Sequence, residues 1–293
     1  MVEDPVPETA LLDRDYDERR RILVVEPRVV SAVRAANQLD GPPDKKFFKN
    51  LPGGADEKLK KQVKGILELQ GERQLLPLTL EETKVLSFPP GHPEQGGVYA
   101  GNPVVAARYY PLDSFHRQTF EHKFREAVDL LIGLGPTRLS VYCEKGWGKK
   151  FALGLQVPEV AQGKLSFHRL AMSKALFQGR FKSRPPHPPV GGAWFPHEQA
   201  WATMVEARLK GEVEQLNLTL EYSDDYGISA SFAKQVDRSP FEVGGKFTSF
   251  LRTVWCFQAD FRPSLLERLG VGSARAEGAG QLQSPEEAGK TDG

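Results

Sequence analysis

The chain has 293 residues, with 39 Lys plus Arg against 38 Asp plus Glu, for a formal net charge of +1. That balance argues against a chain-wide electrostatic grip on nucleic acid, which would need a large basic excess. Apolar residues make up 40% and charged residues 26%, the proportions of a globular chain, and no apolar run approaches the roughly 18 residues of a membrane-spanning helix.

Met1 to Thr9 carries Glu3, Asp4 and Glu8 and no apolar stretch, so it does not read as a signal peptide. Two cysteines do not make a disulfide framework. These features predict a cytoplasmic protein. Residues 1–10 and 271–293 have few large apolar side chains. They are expected to be disordered, because they cannot offset their ordering entropy.

Residues 11–87 read as an N-terminal, mainly helical section. Ile22 to Val25 is a short apolar run. Pro27 opens a helix through Val29, Val30, Val33, Ala36 and Leu39, which recur at steps of about three and four. Asp40-Gly41-Pro42-Pro43 stops it. A second helix is predicted from Asp56 to about Gln70. Leu59, Val63, Ile66 and Leu67 form its apolar stripe, and Lys58, Lys60, Lys61 and Lys64 its other face.

Phe88 to Gly97 is rich in Pro and Gly and reads as a linker or a long loop. Residues 98–270 are expected to form an α+β core. Val98 to Tyr110 is extended, and Pro103 and Pro111 confine it to an edge or an irregular strand. Asp113 or Ser114 caps the best helix, which runs through Phe120, Phe124, Ala127, Val128, Leu131 and Leu134. Gly133, Gly135 and Pro136 end it.

Leu139 to Cys143 reads as a strand, with a turn at Gly146-Trp147-Gly148 and a partner strand from Phe151 to Val157. Leu165 to Phe181 adds one or two more. Four prolines in residues 184–192 precede a helix from about His197 to Lys210. A hairpin is then predicted, out along Leu216, Leu218, Leu220 and Tyr222 and back along Ile228, Ala230 and Phe232. Phe247 to Phe261 reads as a long central strand, apolar on both faces.

Residues 113–181 and 196–262 thus read as two similar halves. A shift of 79 residues places Leu139 on Leu218, Val141 on Leu220 and Leu153 on Phe232. The expected fold is an antiparallel sheet from two tandem helix-plus-hairpin (αβββ-like) halves, preceded by the small helical section. Helices would cover one sheet face.

Signatures of chemistry are sparse. Gly148-Lys149-Lys150 has Cys143 in the slot where a phosphate loop needs Gly, and no Ser or Thr follows Lys149. There is no Gly-x-Ser-x-Gly elbow. Cys143 and Cys256 form no Cys-x-x-Cys pair, and Cys143 reads as a buried, inert thiol. His116 and His122 are six residues apart on a helix, about 240° around it, so they cannot grip one ion. No metal site and no cofactor is expected. Asp224 and Asp225 are explained by turn chemistry.

Two clusters carry the functional reading. Arg108, Tyr109, Tyr110, His116, Arg117, His122 and Lys123 mix aromatic and basic groups around the start of the best helix. Such groups bind phosphates, nucleotides or acidic peptides. Lys58, Lys60, Lys61 and Lys64, with Lys45, Lys46 and Lys49 before them, form a basic surface suited to an anionic membrane or RNA.

The leading expectation is a non-catalytic binding or effector protein that contacts a partner protein, a phosphate-bearing ligand or nucleic acid. One rival is a membrane-active, oligomerising, pore-type protein that inserts the Leu216–Phe232 hairpin. The other is an enzyme with a dispersed site acting on a phosphate-containing substrate. The oligomeric state stays open.

Overall fold

The computed structural model describes residues 11–51, 56–70, 75–146, 175–182, 184–187, 191–211 and 213–262. They form an α+β fold with two four-stranded sheets. The expected partner strand at Phe151–Val157, the turn at Trp147-Gly148 and both chain ends lie outside the described residues.

The first sheet is built from β1 (Arg21–Val24), β2 (Leu76–Leu78), β3 (Val98–Gly101) and β4 (Tyr109–Pro111) in the order β2-β1-β3-β4. The section expected to be mainly helical therefore also supplies two strands. Its helices are α1 (Tyr16–Arg19), α2 (Pro27–Asn37), α3 (Lys45–Lys49) and α4 (Glu57–Gln70).

The apolar run at Ile22 becomes the buried strand β1, parallel to β2 and antiparallel to β3. Its side chains alternate between two cores. Leu23 packs with α2, α4, Val98 and Ala100, while Ile22 and Val24 pack with Leu11, Leu78, Tyr99 and Tyr109. A strand that buries both faces needs no polar alternation, which is why this run gives so short a signal. Pro111 sits on β4, the edge strand, where a missing N–H costs no ladder bond.

Helix α5 (Phe115–Gly133) joins the two sheets. Phe115 belongs to the first core, and Phe120, Phe124, Ala127, Val128 and Leu131 belong to the second. The second sheet contains β5 (Arg138–Lys145), β6 (Ala175–Arg180), β7 (Gln215–Tyr222) and β8 (Thr253–Asp260), in the order β6-β5-β8-β7 and antiparallel throughout. Helix α6 (Gln199–Leu209) covers it together with α5. Each half supplies a helix and two described strands, α5-β5-β6 and then α6-β7-β8. Because β5 and β7 each oppose β8, they run parallel to each other.

The expected hairpin is corrected by the structure. Strand β7 forms, but residues 228–237 do not return beside it. They enter α7 (Ala230–Asp237), and β7 pairs with β8 instead. Ile228, Phe232, Ala233 and Val236 are all buried in the first core, and their spacing of four, one and three is helical. Ser229 caps the helix by accepting from Phe232 N at 3.3 Å. Ala230, expected to alternate inward, is exposed. The shift that aligned Leu153 with Phe232 therefore has no strand at its second member, whereas Leu139, Val141, Leu218 and Leu220 all face the helices.

The long central strand is also shorter than expected. β8 starts at Thr253 and is central, but only Thr253, Trp255, Phe257 and Ala259 face the covered side, and Gln258 is exposed. Cys143 and Cys256 form no disulfide, and both are half-buried. Cys143 lies opposite Trp255 and packs at the covered side, while Cys256 lies next to Thr219 on the other.

Candidate functional site

The expected aromatic and basic cluster is split by the fold. His116 is fully buried: Nδ1 lies 3.0 Å from the Tyr222 hydroxyl and Nε2 2.7 Å from Ile228 O. Phe115, Phe247 and Phe250 surround the ring. Burial pushes its pKa down. This histidine ties α5 to β7 and to the start of α7 and is not free to meet a ligand.

Lys123 is also buried. Its ammonium pairs with Glu198, donates to Glu221 O at 3.2 Å and lies 5.1 Å over the Trp194 ring. Arg117 is exposed on the helix, 3.8 Å from Glu121.

Arg108, Tyr109, Tyr110 and His122 do come together. They line a cavity of about 400 Å³ with Glu121 and Arg125, against a wall of Phe88, Pro89 and Pro90. Helix α5 presents Gln118, Glu121, His122 and Arg125 to it, at the three- and four-residue steps of one helix stripe. The hairpin of β3 and β4 brings Arg108 to Tyr110 to the opposite wall. Tyr109 is buried with its hydroxyl on Arg19 O at 2.8 Å. Desolvation pushes its pKa up to about 12.

Hydrogen bonding sets the polarity of this cavity. Asn102 Oδ1 accepts from the backbone N–H groups of Val104 and Val105, both at 2.9 Å. Its amide nitrogen is thereby turned toward Tyr110 Oη at 3.4 Å and His122 Nδ1 at 3.3 Å. The Trp194 indole, which can only donate, reaches the same Nδ1 at 3.1 Å. A nitrogen facing two donors must be the acceptor, so the ring proton sits on Nε2.

Burial, Arg108 and Arg125 lower the pKa of His122, with Glu126 opposing them, so the ring is neutral at pH 7. The Tyr110 hydroxyl accepts from Asn102, and burial raises its pKa, so it keeps its own proton to donate. The cavity is therefore lined by two guanidinium groups, an imidazole N–H and a phenol O–H. Glu121 is the counterweight; burial pushes its carboxyl pKa up, and Arg117 and Arg125 oppose this.

Residues 191–195 form a neighbouring wall. Glu126 accepts from Ala193 N, Trp194 N and Phe195 N at 2.7 to 2.9 Å, which presses Trp194 onto His122. A second cavity of about 490 Å³ lies between this segment and α5, and it shares His122 and Arg125 with the first. Asn102, Arg125, Glu126 and Trp194 were not among the expected site residues. Arg125 is one helix turn from His122, and Trp194 is a large aromatic in a Pro- and Gly-rich connection, which is the signal each carries in the sequence.

Three lysines of the basic surface have acidic neighbours. Lys58 lies 3.7 Å from Glu26, Lys60 2.7 Å from Glu57 and Lys64 3.8 Å from Glu68, while Lys61 is exposed. Among the described residues no group of His, Cys, Asp and Glu could hold a metal ion, and no helix is long and apolar enough to cross a membrane. Comparison with family models, with curated proteins and with solved structures found no match.

Proposed function

We propose that this protein binds a phosphate-bearing ligand, without catalysis, in the cavity between α5 and the β3–β4 hairpin. The carrying observation is the convergence of Arg108, Arg125, Tyr110 and His122 on one cavity, with Asn102 and Trp194 setting the latter two as donors. Guanidinium groups and fixed neutral donors suit a phosphate, which offers only acceptors when fully ionised. Phe88, Pro89 and Pro90 give an apolar wall for the organic part of an ester, and Glu121 gives an acceptor for its hydroxyls.

The non-catalytic reading rests on what the two histidines of α5 do. His116 is spent on packing, and His122 Nδ1 is spent on Trp194 and Asn102, so neither ring is paired with a nucleophile in the manner of an activated serine or cysteine.

Thermal-shift titration with phosphate monoesters and their unphosphorylated parents tests the proposal. Stabilisation by the esters alone, lost in Arg108→Ala and Arg125→Ala, is expected. Equal response to parent and ester, or turnover of the ester, contradicts it.

A further inference from the structure

Strand β7 closes the second sheet on one side, and among the described residues no strand pairs with its outer edge. Its outward backbone groups follow from the register. Phe261 N donates to Glu214 O at 2.8 Å, and the pairing with β8 then runs without a shift from Gln215 opposite Asp260 to Tyr222 opposite Thr253. In an antiparallel ladder, residues that exchange both bonds alternate with residues that exchange none. Residues 214, 216, 218, 220 and 222 therefore bond to β8, and residues 215, 217, 219 and 221 turn their N–H and C=O groups away from it.

Lys123 agrees with this assignment, since it donates to the outward carbonyl of Glu221. Gln215, Asn217 and Thr219 are exposed. Sheets protect such an edge with Pro, Lys, a bulge or a short strand. β7 has eight residues, QLNLTLEY, with none of these devices.

We propose that this edge pairs, antiparallel, with β7 of a second copy of the chain, about a two-fold axis at Asn217. This register places Asn217 opposite Asn217 of the partner subunit, and Gln215 opposite Thr219 of the partner subunit. The three outward residues of each chain, with two groups each, then satisfy one another. The row on the open sheet face is uncharged, so no like charges meet. Glu221 is already held by Arg252 at 2.7 Å.

On the helix-covered face, half-exposed Leu216 gains Leu218 of the partner subunit as its neighbour, which buries apolar surface that one chain alone leaves wet. The same surface on both copies makes the contact self-complementary and closed, whereas β7 joined to β6 would propagate.

The test is light scattering of the full chain across micromolar concentrations, with Asn217→Pro alongside. The proline removes an outward N–H and leaves the ladder to β8 intact, so the expected result is a dimer that Asn217→Pro converts to monomer with unchanged circular dichroism. Should that variant misfold, Asn217→Lys serves, because it sets two ammonium groups face to face. A wild-type chain that stays monomeric overturns the inference, even if it captures an extended peptide. So does a dimer that survives both edge variants.

Discussion

The Trp194 indole N–H donates to His122 Nδ1 across 3.1 Å, and this bond decides which nitrogen of the histidine remains for the cavity. Trp194→Phe keeps the apolar ring and removes the donor. It leaves Asn102 as the remaining donor to Nδ1 among the described residues. Nitrogen-15 NMR of the imidazole is expected to show a single Nε2–H tautomer in the wild type and a mixture in Trp194→Phe, with weaker ester binding. An Nδ1–H tautomer in the wild type would contradict the assignment.

Falling pH should destabilise the protein through the two histidines of α5. Burial lowers the pKa of His116 and of His122 below the ordinary 6.5. As pH falls, the unfolded chain takes up protons near 6.5, while the folded chain takes them up only below that. Between the two values the unfolded state holds more protons, so stability drops with falling pH. Each histidine contributes at most about 1.4 kcal/mol per pH unit. Urea midpoints from pH 8 to 5 should show the fall, and His116→Gln, which cannot titrate, should flatten it. A curve flat to pH 5 would rule this out.

Glu126 carries the wall formed by residues 191–195. Replacing it with Ala strands the N–H groups of Ala193, Trp194 and Phe195, and hydrogen bonds to a charged acceptor are worth about 1.5–3 kcal/mol. Denaturant unfolding of Glu126→Ala should show a loss of about 2–3 kcal/mol and faster amide exchange at 193–195. A loss below about 0.5 kcal/mol, within surface-substitution scatter, would mean the segment is held by something else.

The turn after β7 stores a local constraint. Tyr226 has φ 49 and Gly227 φ 71, both left-handed. Asp224 and Asp225 accept from the N–H groups of Tyr226 and Gly227 at 2.7 and 2.8 Å, and Tyr16 Oη donates to Tyr226 O at 3.3 Å. A Cβ at 227 would strike the Arg20 guanidinium. Gly227→Ala is expected to cost about 1–3 kcal/mol, read as a lower melting temperature. An unchanged melting temperature would refute it.

The sequence reveals the elements with long, one-sided patterns. α2, α4, α5 and α6 follow from apolar residues at helical spacing, and β5 and β7 from alternation. The segment after β7 misleads because Ile228, Ala230 and Phe232 alternate, while Ile228, Phe232 and Val236 also fit a helix. The choice depends on a partner core that local pattern does not contain. The two-sheet arrangement is hidden for a related reason. β1, β2 and β4 have three or four residues each, too few for any period to show.

The site is legible only by proximity in the chain. Arg108, Tyr110 and His122 stand out because they cluster in sequence. His116 and Lys123 sit beside them in sequence, but they are seven residues apart and so share another face of α5, where each is buried against the end of β7. Asn102 and Trp194 lie on other elements, and what they do depends on hydrogen bonds made across the fold.

The most direct measurement is an NMR titration of the full chain with a phosphate monoester, following the His122 ring nitrogens and the Arg108 and Arg125 side-chain Nε–H signals. The account predicts saturable shifts of these groups together, with His116 unmoved and the response abolished in Arg108→Ala. Shifts that spread instead over Lys58, Lys61 and Lys64, or none at millimolar ester, would contradict a phosphate site between α5 and the β3–β4 hairpin.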